Sequence, residues 1–326
     1  MKSFHAVMRL VAAALLMALS GAVLAQEGYP NKPIRLIVPF PPGGGVTIVA
    51  RIIAPPLSES FRQPVIVDNR PGGNTIIGTD AAAKAPPDGY TVILISSAHV
   101  INHFLLPNLP YDSFKDFVPV ATTTSSGYVL VAHPSLPANN LREFIALAKA
   151  KPGQLNYSTS GTGGVQHLAG ELFNIMAEVK LQHIPYKGGG PAITDLLGGQ
   201  VQISFQPQST VTAHVKSGKL KAIGIPGAAR SATLPQVPTF AEAGLPGFTV
   251  SSWGGILAPA GTPKAITDKL SAEVGRILAM SDIREKLAAQ GQEPFVSTPE
   301  QFASMIKDEM TRVAKLVKIA NIKPEH

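Results

Sequence analysis

The first strongly apolar stretch after the N-terminus is Ile34–Val38, a short, largely β-branched run closed by prolines, which is the pattern of a strand buried on both faces. Beyond Gly43-Gly44-Gly45 the apolar positions switch to helical spacing at Ile48, Val49 and Ile52. A strand that becomes a helix through glycines leaves unpaired backbone N–H groups at the positive end of the helix dipole, an arrangement suited to an anion. Further strands are predicted at Val65–Val67 and Thr91–Ser96, with a helix over Thr75–Lys84 that stops at the turn cluster Pro86-Pro87-Asp88-Gly89. This alternation implies a parallel sheet with helices on both faces, and ligands at the carboxyl ends of strands, here Gly43–Thr47 and Ser96–His99.

A second unit of the same kind begins at Tyr128–Ala132. Asn140 caps the next helix, with Glu143 reaching back, and Lys151-Pro152-Gly153 ends it. The strand at Leu155–Tyr157 then enters a second glycine turn, Ser158–Gly164, which opens the helical run Val165–Met176. The hydroxyls of Ser158, Ser160 and Thr162 suit carboxylate oxygens, though each of them also serves as an ordinary cap or turn former. Strands at Leu181–Ile184, Val201–Phe205 and Leu220–Ile225 continue the unit, and Pro235–Thr239 with Leu245-Pro246-Gly247 reads as the return crossing. Two apolar stripes follow: Ile266, Leu270, Val274 and Ile277 behind Thr262-Pro263, and Ile306, Met310, Val313 and Val317 behind the capping box Thr298–Gln301. Both read as core packing against the first unit.

The N-terminus is different in kind. Lys2 and Arg9 precede an apolar run from Leu10 to Leu19 and the small residues Ser20–Ala25, the anatomy of a secretory signal peptide cleaved after Ala25. Removal of those two basic residues lowers the formal charge from +7 to +5. No later stretch reaches the roughly 18 apolar residues of a membrane span. The chain has no cysteine, so no disulfide supports the fold in an oxidising compartment. The basic excess is scattered and argues against nucleic acid.

Enzyme and metal signatures are incomplete. From Gly43 a dinucleotide fingerprint would place its last glycine where Ile48 stands, although Asp68 lies where a ribose-binding acid belongs. A P-loop lysine is missing after Gly45, and no G-x-S-x-G elbow surrounds Ser158. His99 and His103 have metal-pair spacing, but Val100 stands where H-E-x-x-H has its acid and no third ligand is evident. No catalytic residue, cofactor or metal is expected. His167 either touches ligand or caps locally, and Trp253 either lines a cleft or belongs to a hinge core.

Tyr29–Ile34, Val38–Gly45, Val67–Gly72, Pro87-Asp88-Gly89-Tyr90, Lys151–Tyr157, Pro185–Gly188, Asp195–Val201 and Leu257–Pro263 stand in an order and spacing that resembles the Bug family, the extracytoplasmic solute receptors of tripartite tricarboxylate transporters. The resemblance covers essentially the whole mature chain. It implies an α/β, type II-like periplasmic binding fold of two lobes, crossed twice by the chain, with lobe 1 formed by 26–125 and 247–326 and lobe 2 by 126–246. It implies a monomeric periplasmic receptor that captures a small carboxylate and delivers it to the transporter's membrane subunits. The ligand contacts it implies are Phe40, Gly44, Gly45, Val46, Thr47, Ser96, Ser97, His99, Ser158, Ser160, Gly161, Thr162, Tyr186 and Gln206. The competing expectation is an exported α/β enzyme, nucleotide-dependent or hydrolytic, acting on a small anion. The chain also departs from its relatives: the family usually has Thr-Asp where Val46-Thr47 stands, and many members carry an acid at Gln206. If the family's acid faces the ligand, its neutral replacement implies a preference for plain carboxylates over amino acids; if that acid only caps the following helix, the Thr47 hydroxyl fills the same role.

Overall fold

The computed structural model describes residues 28–319 apart from 107, 163, 187 and 228. The expected signal peptide and its cleavage point lie outside the described residues. β1 (Ile34–Val38), α1 (Gly45–Phe61), β2 (Val65–Asn69), α2 (Ile76–Ala83), β3 (Thr91–Ser96) and α3 (Ala98–Leu105) form the first unit. β1 pairs in parallel with both β2 and β3. Its buried face packs Ile34, Leu36 and Val38 against Ile53 and Leu57 of α1.

The second unit is built from α4 (Leu141–Ala150), β5 (Asn156–Thr159), α5 (Val165–Met176), β6 (Gln182–Pro185), α6 (Gly189–Leu197), β7 (Ile203–Pro207), α7 (Gln208–Lys216) and β8 (Lys221–Gly224). β5 lies parallel to β6 and β7. Phe144, Tyr157, Phe173, Phe205, Phe240 and Phe248 fill its core. At α4 the backbone N–H of Glu143 donates to Asn140 Oδ1 at 3.0 Å, as the capping pattern predicts, while the Glu143 carboxylate reaches one residue further back and accepts the Asn139 N–H at 2.7 Å.

The two units are joined by β4 (Phe117–Ala132) and β9 (Ser251–Pro259), which run antiparallel to each other. β4 pairs with β9 as far as Gly127 and with β7 from Tyr128 onward, so one 16-residue strand serves both units. The strand order is β2-β1-β3-β9-β4-β7-β5-β6. This is a two-lobed binding-protein fold. Two sequence expectations change here. The strand at Tyr128 begins eleven residues earlier, at Phe117. The return crossing is β9, whereas Pro235–Gly247 stays with the second unit: Ile225 bridges Thr239, and Phe240 is fully buried in that core.

The C-terminal part is α8 (Lys264–Leu278), α9 (Ser281–Ala289), the two-residue β10 (Glu293–Pro294) on β4, and α10 (Pro299–Ile319). Leu270, Val274 and Ile277 join the β1 core. At α10 Thr298 and Gln301 exchange hydrogen bonds of 2.9 and 3.2 Å, the reciprocal capping box. Phe302, Ile306, Val313 and Leu316 pack on the first unit, and Leu168 of α5 joins the same cluster from the second. Trp253 lies in the joining strand, 5% exposed, with its indole N–H donated to Glu309 and its ring edge-on to Phe302. Of the two roles open to it, lining the cleft is not what the structure shows: Trp253 packs in the core beside the joining strands.

Candidate ligand-binding site

A cleft of about 380 Å³ opens between the units. From the first come Phe40 and its flanking prolines after β1, Asn74 and Thr75 before α2, and Ala98, Asn102 and Leu105 on one face of α3. From the second come Ser160, Gly161, Thr162 and Gly164, the turn that starts α5. None of the described residues lining it carries a formal charge.

Among the described residues, the polarity presented to an anion at this turn comes from backbone. Gly164, the N-cap of α5, makes no side-chain capping bond, and no acid stands in the first helical turn. The first N–H groups of a helix have no intrahelical partner and sum to about half a positive charge. A carboxylate placed at this turn would accept those bonds, supplying what neither a cap nor an acid supplies here.

The turn is braced from below. Gln166, buried one residue into α5, accepts the Ser160 N–H at 2.6 Å and donates to Gln206 Oε1 at 3.0 Å. Gln206 in turn donates to Ser204 Oγ at 2.9 Å, and Ser204 donates to the Ser158 carbonyl at 2.7 Å. Ser158 and Gln206 thus sit beneath the turn rather than in the cleft. Tyr186 supports it from the side; its phenol donates to Asp195 at 2.7 Å, and burial with that carboxylate pushes its pKa up to about 12.

On the opposite wall the first glycine turn lies behind Pro39–Pro41 and outside the lining. Thr47, fully buried, donates to the Pro41 carbonyl at 3.0 Å and accepts from Asn69 at 2.9 Å, while Asn69 also donates to the Phe40 carbonyl. These bonds shape the Pro39–Pro41 wall; Gly44, Gly45, Val46 and Thr47 do not line it. Ser96 caps Ala98 N–H, and Ser97 Oγ meets Ser252 Oγ at 3.3 Å across the joining strand. His99 is in the core, its Nε2 2.8 Å from the Ser113 carbonyl and its ring among Tyr111, Phe114 and Phe117. Burial lowers its pKa to about 4, so it is neutral at pH 7. His167 stacks on His183 at 4.0 Å, and burial with the neighbouring His167 lowers His183 to about 4. Asp68, the would-be ribose acid, is clamped by Arg35 and Arg70 at 2.6 and 2.9 Å.

Of the expected contacts, the structure brings Phe40, Ser160, Gly161 and Thr162 together. Asn74, Thr75, Asn102 and Gln166 belong to the site without being among the expected contacts. Asn102 donates to the Asn74 carbonyl at 2.6 Å and to Thr75 Oγ1 at 3.1 Å, so it ties two cleft segments together. Asn74 and Thr75 have φ of 51° and 78°, and such a value is strained for a β-branched residue. Strain of this kind concentrates where ligands bind. The one sequence signal for the segment is the Gly72-Gly73-Asn74 run before α2. Among the described residues no cluster of three or more His, Asp or Glu is placed to hold a metal, and no helix is long and apolar enough to cross a membrane.

A two-lobed α/β fold with a cleft between its units at a helix N-terminus is the architecture of a solute-binding receptor. Residues 49–322 match the family model described as tripartite tricarboxylate transporter family receptor, and the chain belongs to that family, whose members are periplasmic receptors. It is 40% identical over 299 residues to Protein BugT of Bordetella pertussis, covering 91% of this chain and 92% of that protein. Among solved structures, an R. palustris protein with adipate superposes with a TM-score of 0.79 at 33% identity, covering 91% of this chain and all of the other. MatC from Rhodopseudomonas palustris with bound malate gives 0.74 at 34%, covering 89% and 100%.

Proposed function

We propose that this chain captures a plain mono- or dicarboxylate between its lobes and delivers it to the membrane subunits of a tripartite tricarboxylate transporter, after export and cleavage following Ala25. Of the expected lobes, 26–125 with 247–326 and 126–246, we keep the first boundary and assign 247–250 to the second lobe, because Phe248 and Val250 pack in its core. The observation that carries the reading is the N-terminus of α5, which opens without a side-chain cap into a cleft whose described lining holds no charged residue. The adipate and malate bound by similar proteins support a carboxylate as ligand.

The same lining favours acids without an amino group. An ammonium in the cleft finds no carboxylate among the described residues that line it, and losing its hydration without a partner is costly. Conversely, an acid about 4 Å from a bound carboxylate would oppose it by about 4 kcal/mol at an effective dielectric near 20. Calorimetry with adipate, malate and succinate against aspartate and glutamate tests this. The plain acids are expected to bind and the amino acids to bind more weakly. Tighter binding of aspartate or glutamate removes the preference, and silence from every carboxylate removes the receptor reading. With a binding acid at saturation, solution scattering should show a smaller radius of gyration, since ligand favours closure by touching both lobes.

A further inference from the structure

Beside the cleft, α5 and α10 face each other across a gap. α5 presents Val165, Leu168, Leu172 and Ile175, and α10 presents Val313 and Leu316, each at the three- and four-residue spacing of a helix stripe. Facing apolar stripes ordinarily interdigitate and leave little void. Here they enclose a cavity of about 310 Å³. That volume lies within the range of roughly 300–1,000 Å³ typical of small-molecule sites, as does its make-up of an apolar lining with a few polar groups.

The cavity is separate from the cleft. α3 divides them: Ala98 and Asn102 face the cleft, whereas Ile101 faces the cavity. The polar groups gather on one side, along α10. Glu309 accepts the Trp253 indole N–H and pairs with Arg312 at 3.2 Å, and Arg312 also donates to the Thr249 carbonyl at 3.0 Å. Lys315, the third of them, has no carboxylate partner among the described residues. An apolar chamber with a cation at its rim complements a molecule that is hydrocarbon along its length and anionic at one end.

We propose that this cavity is a second binding site, taking an aliphatic monocarboxylate with its chain between α5 and α10 and its carboxylate at Lys315. The inference does not depend on the identity of the cleft ligand. Since α5 also carries Gly164 of the cleft, an occupant that wedges α5 away from α10 acts on the cleft wall as well.

Octanoate is the probe, followed by calorimetry and by the emission of Trp253, the only tryptophan, whose indole is bonded to the cavity's Glu309. Lys315→Glu and Ile175→Glu change exposed rim positions and leave the core intact. Each is expected to weaken octanoate about tenfold or more, whereas Asn102→Asp, which places an acid in the cleft, is expected to leave octanoate unaffected. Unaltered affinity in both rim variants, loss confined to Asn102→Asp, or no octanoate binding by the unmodified protein would each overturn the proposal.

Discussion

Acidification should cost this protein stability through His99, an imidazole buried in the core. The ring is 4% exposed, bonded to the Ser113 carbonyl, and surrounded by aromatic rings. Burial depresses its pKa to about 4 from an ordinary 6.5. Below pH 6.5 the unfolded chain therefore takes up a proton that the folded chain refuses, and stability falls as pH falls. The contribution is complete above 6.5, declines through the window down to 4, and is constant below it. Each pH unit in that window costs about 1.4 kcal/mol, so acidification from 6.5 to 5 costs about 2 kcal/mol through this residue alone. The assay is urea unfolding between pH 4 and 8 for the unmodified protein and for His99→Gln, which keeps an N–H donor for Ser113 but does not titrate. The difference in stability between the two should lean toward the variant by about 2 kcal/mol on going from pH 7 to 5. Other titrating groups, His183 included, are common to both proteins and cancel. Parallel curves over that range would refute the buried neutral imidazole.

Gly170→Ala should destabilise by about 1–3 kcal/mol in urea melts despite alanine's better helix propensity, because the added Cβ would fall 2.2 Å from the Tyr157 ring; a neutral or stabilising result would mean that ring yields freely. Gln206→Leu should cost about 1–3 kcal/mol by leaving the buried Gln166 amide short of a partner. The same variant should weaken carboxylate binding, since Gln166 holds the Ser160 N–H. Full affinity by calorimetry would show that the amide chain does not shape the turn.

Much of the fold is legible where periodicity is undisturbed. β1, β3, α5 and the stripe of α8 stand where their apolar spacing places them, because the apolar positions in the pattern pack into a core, with β1, β3 and α5 each buried on two sides. The joining strands are not legible in the same way. The middle of β4 reads Thr122-Thr123-Thr124-Ser125-Ser126-Gly127, a polar run that resembles a loop, yet Thr122 and Thr123 are fully buried. Thr122 hides its hydroxyl by donating to the Phe295 carbonyl at 2.6 Å, a partner 173 residues away. β9 is masked by Gly254-Gly255, which count against a strand until the packing is seen. A Cβ at Gly255 would lie 2.2 Å from Phe302, and one at Gly254 would lie 2.7 Å from Thr123 Oγ1. Those glycines let α10 and β4 press against the strand, so the signal that hides it locally is required by contacts made over long distances.

The same distinction between local pattern and distant contact governs the site. Two glycine turns open two helices, and by sequence they look equivalent, a symmetric grip on an anion. Their surroundings make them unequal. At α1 the turn is knotted by Thr47 and Asn69, whose bonds to Pro41 and Phe40 spend the polar side chains on backbone and present a wall of proline and phenylalanine to the cleft. At α5 the bracing amides of Gln166 and Gln206 lie underneath, and the Ser160–Thr162 backbone and the Gly164 N-cap are left at the cavity surface. On the proposed reading, one lobe supplies N–H donors to the carboxylate head and the other supplies Phe40 and Leu105 to the body of the acid. Discrimination among acids then resides in the first lobe's apolar and amide wall, and the common affinity for a carboxylate resides in the second lobe's backbone. Side chains at the wall can vary without disturbing the helix N-terminus opposite, which lets one receptor frame serve different acids.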